Sequence, residues 1–298
     1  MSPSIESILI PTDDSEGALA GARHGIALAS LTGAAVHVLA VVDLPDDLAD
    51  VGGDVAVSPL EAKAEAAVET VATMARDFDE ALHVTTVVTR GTPFQSIRAY
   101  ATRHEIDVIA MGTKGQTGLD RVLLGSVTEN VLRTARKPVL VVPPAADPGR
   151  IPAAPFERVL LPTDGSDGAE IATEWGIALA TRLDAPVHAV YAVDLSPFSA
   201  PLNTGAVLEA LERRGEAAIE LVRARADAAG VSLAGSIETG PPAERIVDYA
   251  ADHDADLIVM GTHGRTGIGQ WFLGSVTENV VRQADVPVLC VPVSAEVP

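Results

Sequence analysis

The sequence predicts two doubly wound α/β domains in one chain, each a five-stranded parallel sheet with helices on both faces. Three observations predict it. Short runs that are apolar throughout alternate with longer amphipathic ones, and strands buried on both faces belong to parallel sheets with helical crossovers. The order occurs twice: Ile8-Leu9-Ile10-Pro11-Thr12-Asp13-Asp14-Ser15 matches Val159-Leu160-Leu161-Pro162-Thr163-Asp164-Gly165-Ser166 at an offset of 151. Each half also carries the same glycine pattern, G-x-x-G, nine residues, G-S: Gly112, Gly115, Gly125-Ser126, and Gly261, Gly264, Gly274-Ser275.

In the first half the reading is strand 7–11, helix 15–31, strand 35–42, a loop, and helix 59–78. Strand 83–88, helix 93–104, strand 108–111, the glycine loop, helix 127–136 and strand 139–142 follow. Helix starts are expected at Ser58-Pro59-Leu60-Glu61 and Thr92-Pro93-Phe94-Gln95, which join an N-cap, Pro at N1 and an acid or amide at N3. The second half repeats this with strands 158–162, 187–193, 232–238, 257–260 and 288–292. The domains are placed at 1–143 and 157–298, joined by a Pro-rich, semi-rigid linker over 144–156.

Composition narrows the function. The 298 residues fit about two domains. At 47% apolar and only 3% aromatic, the core must be aliphatic. A net charge of −20 argues against nucleic acid and anionic membranes, which need clustered Lys and Arg. The acid is dispersed and only Lys63, Lys114 and Lys137 are lysines, as in a protein kept soluble at high salt, so a halophile's cytoplasmic protein is expected. The single cysteine, Cys290, lies in an apolar run. No apolar stretch reaches the ~18 residues of a membrane span, and no signal segment opens the chain.

The glycine loops point to phosphate. Glycines let backbone N–H groups approach an anion and adopt φ > 0, and a helix start offers unpaired N–H groups with partial positive charge. The competing reading is structural: Ser126-Val127-Thr128-Glu129 and Ser275-Val276-Thr277-Glu278 are also capping boxes. Ligands in doubly wound folds sit at the carboxyl ends of strands where strand order reverses. The candidate ends are Pro11-Thr12-Asp13 and Pro162-Thr163-Asp164, and the loops that follow Met111 and Met260. Asp13 and Asp164 suit a ribose hydroxyl or base amine, or cap the next helix. Ser126 and Ser275 suit phosphate, a cap, or both. Lys114 and His263 are the polar inserts of the two loops, and Arg121 and Arg265 face either the anion or solvent.

His37 and His188, and His104 and His253, occupy equivalent positions and read as core or cap residues. No H-E-x-x-H, C-x-x-C, G-x-S-x-G, Walker or G-x-G-x-x-G pattern occurs, so a metal site, a hydrolase elbow, a P-loop motor and an NAD dehydrogenase lack support.

The doubled P-T-D-x-S opening, the doubled glycine loop and the L-G-S-V-T-E-N-V run at 124–131 and 273–280 resemble a tandem universal stress protein of the UspA type over nearly the whole chain. The resemblance implies an adenine-nucleotide alpha-hydrolase-like, flavodoxin-like layering with strand order 3-2-1-4-5. It also implies pairing through the last strands, hence an internal pseudo-dimer, with a homodimer of the whole chain as the further option. It implies ATP or another adenine nucleotide. Magnesium is expected as counter-ion to a triphosphate in so acidic a protein, although no motif encodes it. Pro11 and Asp13 would meet adenosine, and Val41 the base through its backbone. Gly112, Gly115, Gly125, Ser126 and Val127 would hold ribose and phosphates. Their counterparts are Pro162, Asp164, Ala192, Gly261, Gly264, Gly274, Ser275 and Val276. His263 in place of Lys114 puts equal affinity in question. The expected function is a nucleotide-binding stress regulator with little or no catalysis. The alternatives are a slow ATPase or nucleotidyl transferase, and a partner-binding module with vestigial sites.

Overall fold

The computed structural model describes residues 5–43, 54–113, 124–153, 156–196, 204–264 and 273–297. The chain divides into two units, Met1–Pro155 and Phe156–Pro298. In the first the order is β1 (Ser7–Pro11), α1 (Glu16–Thr32), β2 (Ala35–Val42), α2 (Asp54–Phe78) and β3 (Val84–Arg90). It continues with α3 (Pro93–Arg103), β4 (Val108–Gly112), α4 (Ser126–Thr134) and β5 (Val139–Val142). The second has β6 (Val159–Pro162), α5 (Asp167–Leu183), β7 (Val187–Val193), α6 (Thr204–Ala229) and β8 (Leu233–Thr239). Then come α7 (Pro242–Asp252), β9 (Leu257–Gly261), α8 (Ser275–Gln283) and β10 (Val288–Val291).

All pairings within each unit are parallel. The strands run β3-β2-β1-β4-β5 in the first unit and β8-β7-β6-β9-β10 in the second, so both have the order 3-2-1-4-5. The order reverses between β1 and β4, and between β6 and β9. Burial explains the parallel sheet: Ile8, Leu9 and Ile10 are consecutive and each 0% exposed, so both faces of β1 are covered. In the first unit α1 lies against β1, β4 and β5, α2 against β2 and β3, and α3 packs on α4. Cys290 is buried in β10, and burial pushes its thiol up to about 12.

Helix α1 comes very close to the sheet because Gly17, Gly21 and Gly25, four apart, lie along one face. A Cβ on Gly21 would sit 2.5 Å from the Met111–Gly112 peptide, and one on Gly25 2.8 Å from Ala110 Cβ. This stripe draws the start of α1 onto the end of β4. At the other end of the sheet, Asp107 accepts from the N–H groups of Glu6 and Ser7, and Asp256 from those of Glu157 and Arg158, which pins each first strand to its neighbour.

Several boundaries differ from the expectation. Helix α2 starts at Asp54 and runs through Pro59, so Ser58 is not its N-cap. Helix α4 starts at Ser126 and ends at Thr134. Pro138 holds the residue before it extended, and the chain leaves the helix at Ala135, φ −68°, ψ 142°, to enter β5. Strand β3 runs on to Arg90. The stretch expected as linker begins with a 3₁₀ turn, Pro144–Ala146, and Asp147 is tied to α1 by an ion pair with Arg23.

Candidate functional site

The site of each unit lies where β1 and β4, or β6 and β9, deliver their carboxyl ends. Past β1 the chain keeps one ladder bond, Thr12 N–H to Leu39 O at 2.9 Å. The Thr12 hydroxyl then accepts from Asp14 N–H at 3.2 Å. The turn needs a left-handed residue: Asp14 has φ 63°, and its counterpart Gly165 has φ 73°. Asp13 Oδ1 accepts from the Ser15 amide at 3.1 Å and the Ser15 hydroxyl at 2.5 Å. Ser15 in turn caps α1 by accepting from Ala18 N–H at 3.2 Å, a bond worth about 1 kcal/mol. Asp164, Ser166 and Ala169 repeat this at 3.0, 2.6 and 3.3 Å. Asp13 and Asp164 therefore do not cap directly; they orient the serine that does.

The glycines at the ends of β4 and β9 exist for room. A Cβ on Gly112 would lie 1.9 Å from Gly17 O, and one on Gly261 2.7 Å from Gly168 O. A Cβ on Gly264 would meet Asp164 Oδ2 at 2.8 Å. The strand-one carboxylate and the glycine loop are thus side by side in the second unit. The expectation of φ > 0 is corrected here. Gly125 and Gly274 have φ −63° and −60°, and Gly112, Gly261 and Gly264 are likewise absent from the positive-φ residues. Close approach of backbone, not left-handed geometry, calls for glycine.

The loop returns tightly. Gly125 N–H donates to Thr113 O at 2.7 Å and Gly274 N–H to Thr262 O at 2.8 Å. Thr128 and Thr277, buried, donate their hydroxyls to Gly112 O and Gly261 O, each at 2.8 Å. These threonines clamp the helix start to the strand end, and sequence reasoning missed them. Their signal was repetition: the same Thr stands at the same place in both halves.

Ser126 and Ser275 are not N-caps. The caps of α4 and α8 are Gly125 and Gly274, neither with a side-chain cap hydrogen bond. Both serines sit at the first helical position, exposed. The capping-box reading therefore fails. The N-cap glycine of each helix has no side chain to cap it, and an exposed hydroxyl stands beside each start, whereas α1 and α5 are capped by serine.

The other candidates fall around this point. Pro11 and Pro162 are buried at the strand ends, and Met111 and Met260 are buried in β4 and β9. Val127 and Val276, half-buried, follow the serines. Val41 and Ala192 lie one strand further out, on β2 and β7, half-buried. Lys114, Gly115, Arg121 and Arg265 lie outside the described residues.

His263 is beside the start of α8. A Cβ on Gly274 would lie 3.6 Å from His263 Cα. Its Nδ1 is 2.9 Å from Thr262 Oγ1, while Nε2 is shut off from solvent and has no hydrogen-bond partner.

The repeated histidines build a second feature. His37 Nδ1 meets Tyr100 Oη at 2.9 Å, and the ring of His104 stacks on Tyr100 at 4.1 Å. His188, Tyr249 and His253 do the same at 3.2 and 3.8 Å. Burial, with the neighbouring histidine second, lowers the pKa of His37 and of His188, and burial raises those of Tyr100 and Tyr249. No described helix is long and apolar enough to cross a membrane.

A duplicated 3-2-1-4-5 sheet with a glycine-lined, glycine-capped helix start at each switch point defines a tandem α/β protein of the doubly wound class. The model of the universal stress protein family matches residues 4–143 and 155–292, and the chain belongs to that family. Among relatives, universal stress protein MJ0531 of Methanocaldococcus jannaschii is 40% identical over 139 residues, covering 46% of this chain and 82% of that protein. Universal stress protein Rv2005c of Mycobacterium tuberculosis is 31% identical over 189 residues, covering 62% of each. The crystal structure of a universal stress protein from Archaeoglobus fulgidus superposes with a TM-score of 0.70 at 26% identity, covering 96% of this chain and 98% of that one.

Proposed function

We propose that each unit binds an adenine nucleotide, and that the chain acts in the cytoplasm as a nucleotide-responsive stress protein with little or no catalysis. The observation that carries this reading is the glycine-capped start of α4 and of α8. A helix start beside a glycine-lined strand end, with a glycine N-cap that offers no side chain, suits an anion. Gly112, Gly125, Ser126 and Val127 hold the phosphates in the first unit, with Lys114 and Gly115 from the loop. Gly261, His263, Gly264, Gly274, Ser275 and Val276 do so in the second. Pro11, Thr12, Asp13, Val41 and Met111, with Pro162, Thr163, Asp164, Ala192 and Met260, surround the nucleoside, and magnesium accompanies a triphosphate. Asp13 and Asp164 each hold a capping serine through Oδ1, which favours a positioning role over general-base chemistry.

The test is mass spectrometry of the small molecule that co-purifies, followed by titration with ATP, ADP and AMP and an assay for released phosphate. Retained adenine nucleotide with no phosphate release over hours is the expected result. Gly125→Val should empty only the first site and Gly274→Val only the second. Turnover abolished by Asp13→Ala would replace this reading with the ATPase. No thermal shift with any adenine nucleotide would leave the vestigial-site module.

A further inference from the structure

We infer that residues 292–297, the segment that follows β10, form a strap that holds the start of α5 against the second glycine loop, so that strap docking and nucleotide binding at the second site strengthen one another. The inference rests on the nucleotide reading above and concerns the regulation of its second site.

The carrying observation is the position of Gly168, in the first turn of α5. A Cβ on Gly168 would lie 2.3 Å from His263 O and 3.5 Å from Val293 Cγ2, and a Cβ on Gly261 2.7 Å from Gly168 O. The strand end and loop of the second site and the segment after β10 thus meet at one residue of α5. The strap leaves the sheet at the site itself. Val291 O receives the Thr262 amide at 2.9 Å, and the next residue, Pro292, begins the strap. Its far end is pinned about two turns along the helix, where the Trp175 indole N–H donates to Glu296 O at 3.0 Å. Trp175 is 3% exposed, so the strap supplies the acceptor that a buried indole needs.

The first turn of α5 also fixes the carboxylate of the second site. Asp164 Oδ1 accepts from Ser166, which caps α5 by accepting from Ala169. Gly264 of the loop lies against Asp164 Oδ2. A shift of this turn away from the loop would part Asp164 from Gly264. The docked strap opposes that shift, and a nucleotide that engages both Asp164 and the loop opposes it too. Two restraints on one displacement reinforce each other. Linkage makes this reciprocal: a docked strap raises affinity, and a bound nucleotide keeps the strap docked. The strap is built to open cheaply. Val293, Ser294 and Glu296 are exposed, and only Ala295 among 293–296 is buried, which places the segment at the low-stability end of the fold.

In the first unit the chain after β5 is also tied to the first helix, with different chemistry. Asp147 pairs with Arg23 of α1, the residue before His24, which is the counterpart of Trp175 at the offset of 151. The crossing is built twice, once on an ion pair and once on a neutral hydrogen bond with an apolar contact. What the two share is that the chain leaving the last strand is held on the helix whose start borders the site.

The experiment measures ATP binding to the full chain by calorimetry, with Gly125→Val isolating the second site and Gly274→Val the first. It also follows amide exchange at Ala295, whose N–H closes the strap's turn on Pro292 O at 2.9 Å. Trp175→Phe keeps a ring and loses the donor, and Val293→Gly loses the contact with Gly168. The two changes together should lower affinity at the second site at least about fivefold and leave the first unchanged. In the unmutated chain ATP should slow exchange at Ala295 at least about fivefold, and in Gly274→Val it should not. A strap that only adds stability would lower the melting temperature and move neither reading. Second-site affinity unchanged in the double variant, or Ala295 exchange equal with and without ATP, would overturn the inference and leave the nucleotide reading intact. Exchange at Ala295 in the unmutated chain decides the matter if a variant fails to fold. Failure of ATP to bind either site would instead overturn the nucleotide reading.

Discussion

Replacing Gly112 by alanine tests why the loop begins with glycine. The added methyl would lie 1.9 Å from Gly17 O, 2.5 Å from Gly17 C and 3.1 Å from Gly17 Cα. All three are backbone atoms in the first turn of α1, so nothing can swing aside. Relief requires lifting the helix off β4, where Gly21 and Gly25 hold it at close contact. Overpacking a dense interior costs about 1–3 kcal/mol, and a contact this short belongs at the upper end, about 3 kcal/mol. At about 2–4 °C per kcal/mol for a domain of this size, the first unit should melt about 6–12 °C lower. Gly261→Ala meets Gly168 O at 2.7 Å and should cost less in the second unit. Gly33→Ala meets nothing within 4 Å but sits at φ 73°, so only backbone strain applies, about 1 kcal/mol. Denaturant unfolding, with amide exchange in α1 and α5 to separate the units, gives the ranking. If Gly112→Ala unfolds at the wild-type midpoint, or Gly33→Ala is the worst of the three, the close-approach argument is wrong.

Gly264→Ala should behave differently, because among the described residues its methyl meets only the end of a side chain, Asp164 Oδ2 at 2.8 Å. Stability should stay within about 0.5 kcal/mol while nucleotide affinity of the second site falls; a stability loss as large as that of Gly261→Ala would contradict this. Thr128→Val removes the 2.8 Å bond to Gly112 O and should cost the first unit about 1 kcal/mol and weaken its nucleotide binding, both read by melting with and without ATP. Acid should destabilise both units through His37 and His188. Each has its pKa lowered by burial, so the unfolded chain takes up protons first as pH drops. Stability from these groups is complete above about 6.5, the unfolded value, and is lost as pH falls from there through the folded values. Denaturant midpoints between about pH 8 and pH 5 should fall more steeply for the wild type than for a His37→Gln, His188→Gln chain, and parallel curves would refute the assignment.

What was legible in the sequence, and what was not, divides along a physical line. Strands β1, β2, β5 and β7 were readable to the residue, because an apolar run bounded by turn residues has sharp edges. Helix starts were read less evenly: Thr92-Pro93 does open α3, but two others misled. Ser58-Pro59 and Ser126-x-x-Glu129 both look like starts, yet α2 runs through the first, and in the second the cap is the residue before the serine. A capping pattern records which residue types tolerate a helix start, not where the strand before it releases the chain. That point is fixed by tertiary contacts: Thr128 to Gly112 O, and Gly125 N–H to Thr113 O. The same reasoning explains the glycines. From the sequence, a missing side chain reads equally as freedom in φ or as room for a neighbour, and only the position of α1 decides. The neighbour in question is Gly17, a glycine stacked above Gly21 and Gly25. Sequence reading of the site took in the loop glycines and the strand-one ends, while the close approach that shapes the start of α1 is written in the stripe on that helix. A glycine or alanine at each of 168, 172 and 176 in the second half shows that the stripe and the loop were duplicated together, as parts of one device.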